Sequence, residues 1–99
     1  MQRDVFQAIA DPTRRKIISM IAEQPMNINT LSAGFTISRA AVYKHIKILR
    51  ESGLLVVRPR GRERYCVARL DKLEPVLDWL HQYAKVNALQ PGVCKTETA

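Results

Sequence analysis

The sequence predicts a mainly α-helical fold with one β-hairpin, an α+β class in the order α-α-α-α-β-β-α. Apolar residues recur at helical spacing in four segments before residue 53 and in one segment after residue 71. Two β-branched runs lie between them, on either side of a turn that contains Pro and Gly. The chain has 99 residues, of which 46% are hydrophobic and 25% are charged. We assign residues 1–89 to one domain and expect residues 90–99 to be a disordered polar tail.

Three helices are predicted before residue 36. The first covers residues 3–10, and the second follows "DPTRR", where Asp11 caps the helix and Pro12 occupies its first turn. Pro25 ends the second helix. The third helix lies in "NINTLSAGF", with Asn27 or Asn29 as its cap. Val5, Phe6 and Ile9 share one side of the first helix. The side chains expected to face the core from the second and third helices are Ile17, Ile18, Ile21, Ile28, Leu31 and Phe35.

The fourth helix lies in "SRAAVYKHIKILRESG", residues 38–53. Ser38 suits the N-cap and Gly53 the left-handed C-terminal stop. Val42, Ile46 and Leu49 form the core stripe. On a helical wheel the opposite side gathers Arg39, Ala40, Tyr43, Lys44, Lys47, Arg50 and Glu51. The third and fourth helices, joined by a tight turn at residues 34–37, predict a helix-turn-helix.

A hairpin and a last helix complete the domain. "LLVVR" (54–58) and "RYCVAR" (64–69) are read as strands joined by the turn "PRGRE" (59–63). This hairpin, which follows the fourth helix and is called a wing, carries Arg58, Arg60, Arg62 and Arg64. The last helix is predicted from Asp71 to about Leu89, with Asp71 and Glu74 as a capping box. Pro75 leaves open a start at Glu74 instead. The apolar face of this helix comprises Leu73, Val76, Leu77, Leu80, Tyr83 and Ala84, with Trp79 beside it.

Charge distribution indicates the class of partner. The net charge is +7, and residues 39–69 contain nine basic and two acidic residues, so this span alone nets +7. The remaining residues carry seven charges of each sign. Such segregation is typical of a domain that binds a polyanion. No paired-carboxylate site, glycine-rich phosphate loop or activated nucleophile supports an enzyme. The absence of a long apolar run and of a disulfide framework leads us to expect a cytoplasmic protein.

Three motifs resemble one known family. "FQAIADPTRRKII", "ISRAAVYKHIKILRESGLL" and "GRERYCV" are similar to the start, the recognition helix and the wing of the ArsR/SmtB family of bacterial winged-helix repressors. The resemblance covers about residues 3–89. It implies a winged helix-turn-helix, a homodimer built from the first and last helices, and repression from a pseudo-palindromic operator in double-stranded DNA. The dimer interface expected on this basis contains Val5, Phe6, Ile9, Leu73, Leu77, Leu80 and Tyr83.

The same resemblance assigns DNA contacts. Residues in the first turns of a recognition helix face base edges in the major groove. We therefore expect base contacts from Arg39, Ala40, Tyr43 and Lys44, phosphate contacts from Ser38, Lys47 and Arg50, and flanking contacts from Arg60 and Arg62. His45 is included among the DNA-binding residues, although it is equally read as a packed, hydrogen-bonded histidine. Tyr43 stands where the family usually has a small serine, which bears on base preference.

The residues with which other members of the family sense metals are mostly not matched in this sequence. The segment "NINTLSAGF" lacks the Cys-x-Cys pattern of metal-sensing members, so no cofactor or metal is expected. Asp78 and His81 alone remain of the metal ligands found on the last helix in other members. A metal- or redox-responsive repressor stays open as an alternative, the latter through Cys66 and Cys94, as does a winged-helix module that binds protein or RNA. The effector, the operator and the regulated genes are not identified by the sequence.

Overall fold

The computed structural model describes residues 3–83, and within that range it confirms a winged helix-turn-helix. The elements are α1 (Val5–Ala8), α2 (Pro12–Glu23), β1 (Met26–Asn27), α3 (Ile28–Ala33), α4 (Arg39–Glu51), β2 (Leu55–Arg60), β3 (Glu63–Ala68), a 3-10 helix (Leu70–Leu73) and α5 (Glu74–Tyr83). The proposed limits of the domain at residue 89 and of the tail at 90–99 lie outside the described residues, as does the predicted end of the last helix.

Side-chain caps fix the starts of α2 and α3. The Asp11 carboxylate accepts hydrogen bonds from the backbone amides of Thr13, at 2.8 Å, and Arg14, at 3.1 Å. These two amides have no partner inside the helix, so the carboxylate satisfies them. At α3 the cap is Asn27 rather than Asn29, because the Asn27 Oδ1 accepts from the amide of Thr30 at 2.7 Å.

Both predicted ends of α4 are confirmed. The Ser38 hydroxyl accepts from the amide of Ala41 at 3.1 Å. At the other end Gly53 adopts a φ of 84°, a left-handed conformation that costs an L side chain energy. The amide of Gly53 donates to the Arg50 carbonyl and that of Leu54 donates to the Leu49 carbonyl. This pair of bonds is a Schellman motif, which satisfies carbonyls at the end of the helix.

The wing belongs to a three-stranded antiparallel sheet in the order β1-β3-β2. The sequence predicted only the two hairpin strands and missed β1, in which Met26 pairs with Cys66 and Asn27 pairs with Tyr65. A two-residue strand has no periodicity of its own and forms only because β3 offers it a partner. The prediction from local pattern therefore could not detect it.

The predicted turn at residues 59–63 is wrong in its extent. Pro59 lies within β2, paired with Arg64, and the loop contains only Gly61 and Arg62. Pro59 is tolerated because β2 is an edge strand, where a missing amide leaves no ladder bond unmade. Gly61 has a φ of 63°, which places the left-handed residue first in the loop, as in a type II′ hairpin turn.

The start of the last helix and the extent of the first also differ from the predictions. The capping box between Asp71 and Glu74 is wrong, because Asp71 lies in the 3-10 helix and accepts from Arg69 at 3.0 and 3.1 Å. The alternative start at Glu74 is confirmed, with Pro75 in the first turn of α5. Helix α1 is only four residues long, shorter than the predicted 3–10, since Ala10 bonds back to Gln7 in a turn.

The predicted core stripes meet in one cluster. The three stripe residues of α2 and the three of α4 are buried, together with Leu31 of α3 and Cys66 of β3. Ile28 and Phe35 are partly buried against that cluster. In contrast, none of the described residues of α5 is buried. Among residues 3–83, no helix has the length and apolar character needed to cross a membrane.

Candidate nucleic-acid interface

The polar side of α4 is a cationic surface. All seven residues that the sequence assigned to this face for DNA contact are exposed: Ser38, Arg39, Ala40, Tyr43, Lys44, Lys47 and Arg50. On the opposite side of the helix, Val42, Ile46 and Leu49 are buried in the core. The core stripe therefore fixes the rotation of α4, and this rotation holds the basic residues outward.

Arg39 and Tyr43 form a pair on this surface. They are four residues apart, one helical turn, so their side chains lie side by side. A guanidinium nitrogen of Arg39 donates to the Tyr43 hydroxyl at 3.3 Å, and the guanidinium carbon lies 5.6 Å from the ring centroid. This contact restricts the rotamers of a long side chain before any ligand arrives.

A groove separates α4 from the wing. Its floor is apolar, formed by Ile28, Ile46 and Val57, and its volume is about 430 Å³. The polar residues along it include Tyr43, Lys44, Lys47, Arg50 and Arg64. These cations come from two elements, so the groove joins the basic face of α4 to the wing.

Arg64 is the site residue that the sequence analysis noted in the wing but left out of the DNA contacts. It lies two residues before the buried Cys66, so both side chains point to the side of the sheet that faces the core and α4. The alternation of β3 contained this information. The predicted strand at 64–69 already included Arg64, but the sequence analysis did not use the alternation with Cys66 to assign Arg64 a contact.

The two wing residues assigned to flanking DNA contacts have different surroundings in the structure. Arg60 pairs across the hairpin with Glu63, and its guanidinium carbon lies 4.7 Å from the ring centroid of Tyr65. Arg62 is at the turn, where it borders the same cleft as Arg39, Tyr43 and Arg64. Arg62 therefore lies near the α4 surface, whereas Arg60 is held along the wing by an aromatic ring.

His45 faces the body of the protein. Its Nδ1 is 3.3 Å from a guanidinium nitrogen of Arg14 and 3.9 Å from a carboxylate oxygen of Asp11. Arg14 also donates to the carbonyls of Ala8 and Gln7. The reading of His45 as a packed, hydrogen-bonded histidine is therefore the one that the structure supports, and we do not retain it among the proposed DNA contacts.

The acidic residue of α4 is neutralised. Glu51 bonds to the side chain of Arg3, and the backbone amide of Arg3 donates to the Glu51 carbonyl at 2.9 Å. The hydrogen bond from Arg3 holds the pKa of Glu51 below its ordinary value. The basic face of α4 thus keeps its full excess of positive charge, and the start of the chain is fixed to the end of the helix.

An apolar surface lies at α1 and α5. Of the residues predicted at the dimer interface, Phe6, Leu77, Leu80 and Tyr83 are exposed, together with Trp79. Trp79 contacts Phe6 and Tyr83 edge to face, with centroid distances of 6.2 and 5.5 Å. The other predicted residues, Val5, Ile9 and Leu73, are partly buried against the core of their own subunit. The exposed set is larger than isolated surface apolar residues would explain.

Sites for metal or redox chemistry are limited in the described part of the chain. Cys66 is fully buried, and this burial raises the pKa of its thiol, which disfavours the reactive thiolate. Cys94 lies outside the described residues. Within residues 3–83, no three His, Cys, Asp or Glu side chains cluster in a way that could hold a metal ion. Asp78 and His81 are both exposed.

Known proteins are similar to this chain in sequence and in fold. A model of the arsR family of bacterial regulatory proteins matches residues 11–56, from the cap of α2 into β2. A solved structure described as "Possible transcriptional regulator for arsenical resistance" is 32% identical, with a TM-score of 0.70. That match covers 79% of this chain and 84% of the other.

Two curated relatives are transcriptional regulators. The HTH-type transcriptional regulator Rv2034 of Mycobacterium tuberculosis is 39% identical over 60% of this chain and 55% of its own length. The transcriptional repressor SdpR of Bacillus subtilis is 29% identical over 78% of this chain and 86% of its own length. The chain thus matches only about half of the first relative and most of the second. Both names describe regulators of transcription, the class of protein that the sequence analysis expected here. The helix-turn-helix, the wing and these similarities together show that the chain belongs to the ArsR family of bacterial regulatory proteins.

Proposed function

We propose that the protein is a sequence-specific DNA-binding transcriptional regulator that acts as a homodimer. The observation that carries the proposal is the cationic surface formed jointly by α4 and the wing. Lys44, Lys47 and Arg50 of α4 and Arg64 of β3 border one groove. Arg39 and Arg62 border a second cleft, which Arg64 also lines. Cations contributed by a helix and an adjacent hairpin to the same clefts suit the phosphate backbone of duplex DNA.

Each part of this surface has its own role in the proposal. Arg39, Ala40, Tyr43 and Lys44 lie in the first half of α4 and read base edges in the major groove. Ser38, Lys47 and Arg50 hold phosphates beside the groove, and Arg64 joins them from the wing. Arg60 and Arg62 contact the DNA that flanks the half-site. Phosphate contacts set the position of the protein, and base contacts set its sequence preference.

The homodimer follows from the size of the reading surface. One recognition helix covers only a few base pairs, so two copies are required to select an operator. The exposed residues Phe6, Leu77, Leu80 and Tyr83 supply an apolar surface for a second copy. A two-fold dimer places its half-sites about one helical turn apart, roughly 10–10.5 bp. The operator in this proposal is therefore pseudo-palindromic.

Repression is the regulatory outcome that we propose, in line with the description of the Bacillus subtilis relative as a transcriptional repressor. A protein bound to an operator prevents RNA polymerase from binding a promoter that overlaps it. Since its target is chromosomal DNA, we place its site of action in the cytoplasm.

The test begins with selection of bound duplexes from a random DNA library. Fluorescence anisotropy then compares the selected duplex, a scrambled duplex and an RNA duplex of equal length. We expect the selected sequence to be an inverted repeat that binds more tightly than the other two. Log affinity should also fall steeply with log salt, by about 0.9 for each phosphate neutralised. Affinity that stays flat from low to physiological salt, or equal binding of all three duplexes, would overturn the proposal.

A further inference from the structure

The outer half of the wing has little support from the rest of the sheet. Strand β1 pairs with β3 only at Cys66 and Tyr65. Beyond that point, from Arg64 to the turn, β3 pairs only with β2. An isolated two-stranded ribbon is marginally stable in water and bends easily. The arginines near the turn therefore need another contact if their position relative to α4 is to be fixed.

The side chain of Asn27 supplies such a contact. Its Oδ1 accepts from the amide of Thr30 and thereby caps α3. Its Nδ2 donates to the Glu63 Oε1 at 2.9 Å. Glu63 lies two residues beyond Tyr65, the last residue of β3 that pairs with β1. One amide group thus joins the first helix of the helix-turn-helix to the outer half of the wing.

The charge of Glu63 makes its position informative. Glu63 and Glu51 are the only acidic residues between positions 39 and 69. An acidic side chain on a DNA-binding face opposes binding, so its presence there requires another role. Glu63 borders the same cleft as Arg39, Arg62 and Arg64. Even so, among the described residues it forms no ion pair, and its hydrogen-bond partner is the neutral amide of Asn27.

We propose that Glu63 is a positioning residue, whose hydrogen bond to Asn27 holds the wing at a fixed angle to α3 and α4. The role of this bond in DNA binding rests on the function proposed above, whereas its effect on the free protein does not. In the free protein the bond limits motion of the turn at Gly61 and Arg62. In the complex it keeps Arg62 and Arg64 where they meet the same DNA as α4.

Two substitutions of Glu63 separate geometry from charge. Glu63→Gln removes the negative charge but keeps an amide oxygen that accepts from Asn27. Glu63→Ala removes the same charge and also the acceptor. The measurement is backbone ¹⁵N relaxation of Gly61 and Arg62 in the free protein. We expect Glu63→Gln to match the wild type and Glu63→Ala to show lower order parameters at the turn. Equal order in all three proteins would overturn the proposal.

An exchange of the two groups gives a second test. Asn27→Asp keeps an oxygen that caps α3 but places a carboxylate against that of Glu63. We expect this variant to loosen the wing. In the double variant with Glu63→Gln, the glutamine amide can donate to the new aspartate, and the net charge equals that of the wild type. We expect the backbone order parameters at the turn to return to those of the wild type, and failure of this rescue would contradict the proposal.

DNA binding supplies the functional readout, with a fluorescein-labelled random-sequence duplex as the probe. If Glu63 positions wing cations, Glu63→Ala should show a shallower salt dependence than Glu63→Gln, by about 0.9 for each phosphate that the wing no longer neutralises. Identical slopes for these two equally charged variants would refute the positioning role in binding. If the wild type fails to bind the duplex at all, the proposed function falls, and the relaxation comparison still decides whether the bond orders the wing.

Discussion

At the scale of single residues, substitution of Arg39, which we propose to contact base edges, tests whether base recognition can be separated from general DNA affinity. Its contact with Tyr43 orients the guanidinium group on the exposed face of α4. A bidentate contact between an arginine side chain and a base edge is worth about 1–3 kcal/mol of discrimination against the wrong base. We expect Arg39→Ala to reduce the preference for a selected operator over scrambled DNA by that amount, as measured by anisotropy with both duplexes.

Lys47→Ala is the matched control for this prediction. Lys47 is exposed on the same helix, one turn beyond Tyr43, and we assign it to phosphates. Its removal should weaken binding to both duplexes alike and make the salt dependence shallower by about 0.9. If Arg39→Ala lowers affinity equally for both duplexes, the assignment of Arg39 to base contacts is wrong.

Asp11 makes the stability of the fold depend on pH. Partial desolvation by itself raises the pKa of this carboxyl group. The hydrogen bond from the Arg14 amide, the nearby His45, the Thr13 amide and the Arg14 charge outweigh that effect, and the pKa lies below its ordinary value of 3.8. The folded state therefore binds this proton more weakly than the unfolded state. The stabilisation is complete above the unfolded-state pKa and is lost as the pH falls through the folded-state pKa.

Asp11→Ala should accordingly lower the free energy of unfolding by about 1 kcal/mol at neutral pH, because the cap of α2 is removed. Asp11→Asn keeps a capping oxygen and should cost less. Urea unfolding of the three proteins from pH 7 downward measures both effects. The advantage of the wild type over Asp11→Asn should shrink below pH 3.8, and a constant difference across this range would show that the charge of Asp11 contributes nothing.

At the scale of elements, the sequence predicted what depends on local pattern. The rotation of α4 and both of its ends followed from periodicity and capping residues, and so did the core face of α2. Features that depend on distant partners were not predicted. Strand β1 exists because β3 lies beside it. The capping box at Asp71 was wrong for a local reason, because Asp71 bonds to Arg69, and the open alternative of a start at Glu74 was the correct one. The facing of Arg64 was available from its alternation with Cys66, but the groove that it shares with α4 depends on how the wing packs beside that helix.

Gly53 tests how much the end of α4 contributes to the fold. Its φ of 84° is unfavourable for residues with a Cβ. The added Cβ would meet only Lys72 side-chain atoms at ordinary contact distance, so the backbone conformation decides the effect. A left-handed conformation costs an L residue roughly 1–2 kcal/mol. We expect Gly53→Ala to lower the free energy of unfolding by that amount in urea titrations.

Gly34→Ala is the control for this prediction. Gly34 ends α3 with a φ of −83°, which any residue adopts. An added Cβ would lie 2.9 Å from the Met20 Cε, but that atom ends a flexible side chain and can move. The cost should therefore be smaller than at Gly53. If both substitutions have the same effect, the left-handed conformation of Gly53 is not what stabilises the end of α4.

At the scale of the whole molecule, charge and apolar surface lie on different elements. The basic residues follow α4 and the wing, whereas the exposed apolar residues follow α1 and α5. Arg3, which precedes α1, contacts Glu51 of α4. Arg14 of α2 donates to the α1 carbonyls of Ala8 and Gln7 and contacts His45 of α4, so α1 is held close to α4. A second copy docked on α1 and α5 would therefore leave both recognition helices free. The 99 residues thus provide the two surfaces that the proposed operator-binding dimer requires, one for DNA and one for a second copy.

Leu80→Glu tests the dimer. Leu80 is 48% exposed in the single chain, and α5 has no buried residue in its described part. A charge at this position therefore costs the folded monomer little, but it would be buried without a partner in the proposed dimer interface. We expect a folded monomer, as checked by circular dichroism. It should lose its preference for an inverted repeat more readily than its non-specific binding of DNA. Gln82→Glu adds the same charge to the opposite side of α5 and should leave the dimer intact. Sedimentation at micromolar concentration measures both, and a wild-type chain that sediments as a monomer would contradict the proposed dimer, because Leu80 would then have no partner surface to lose.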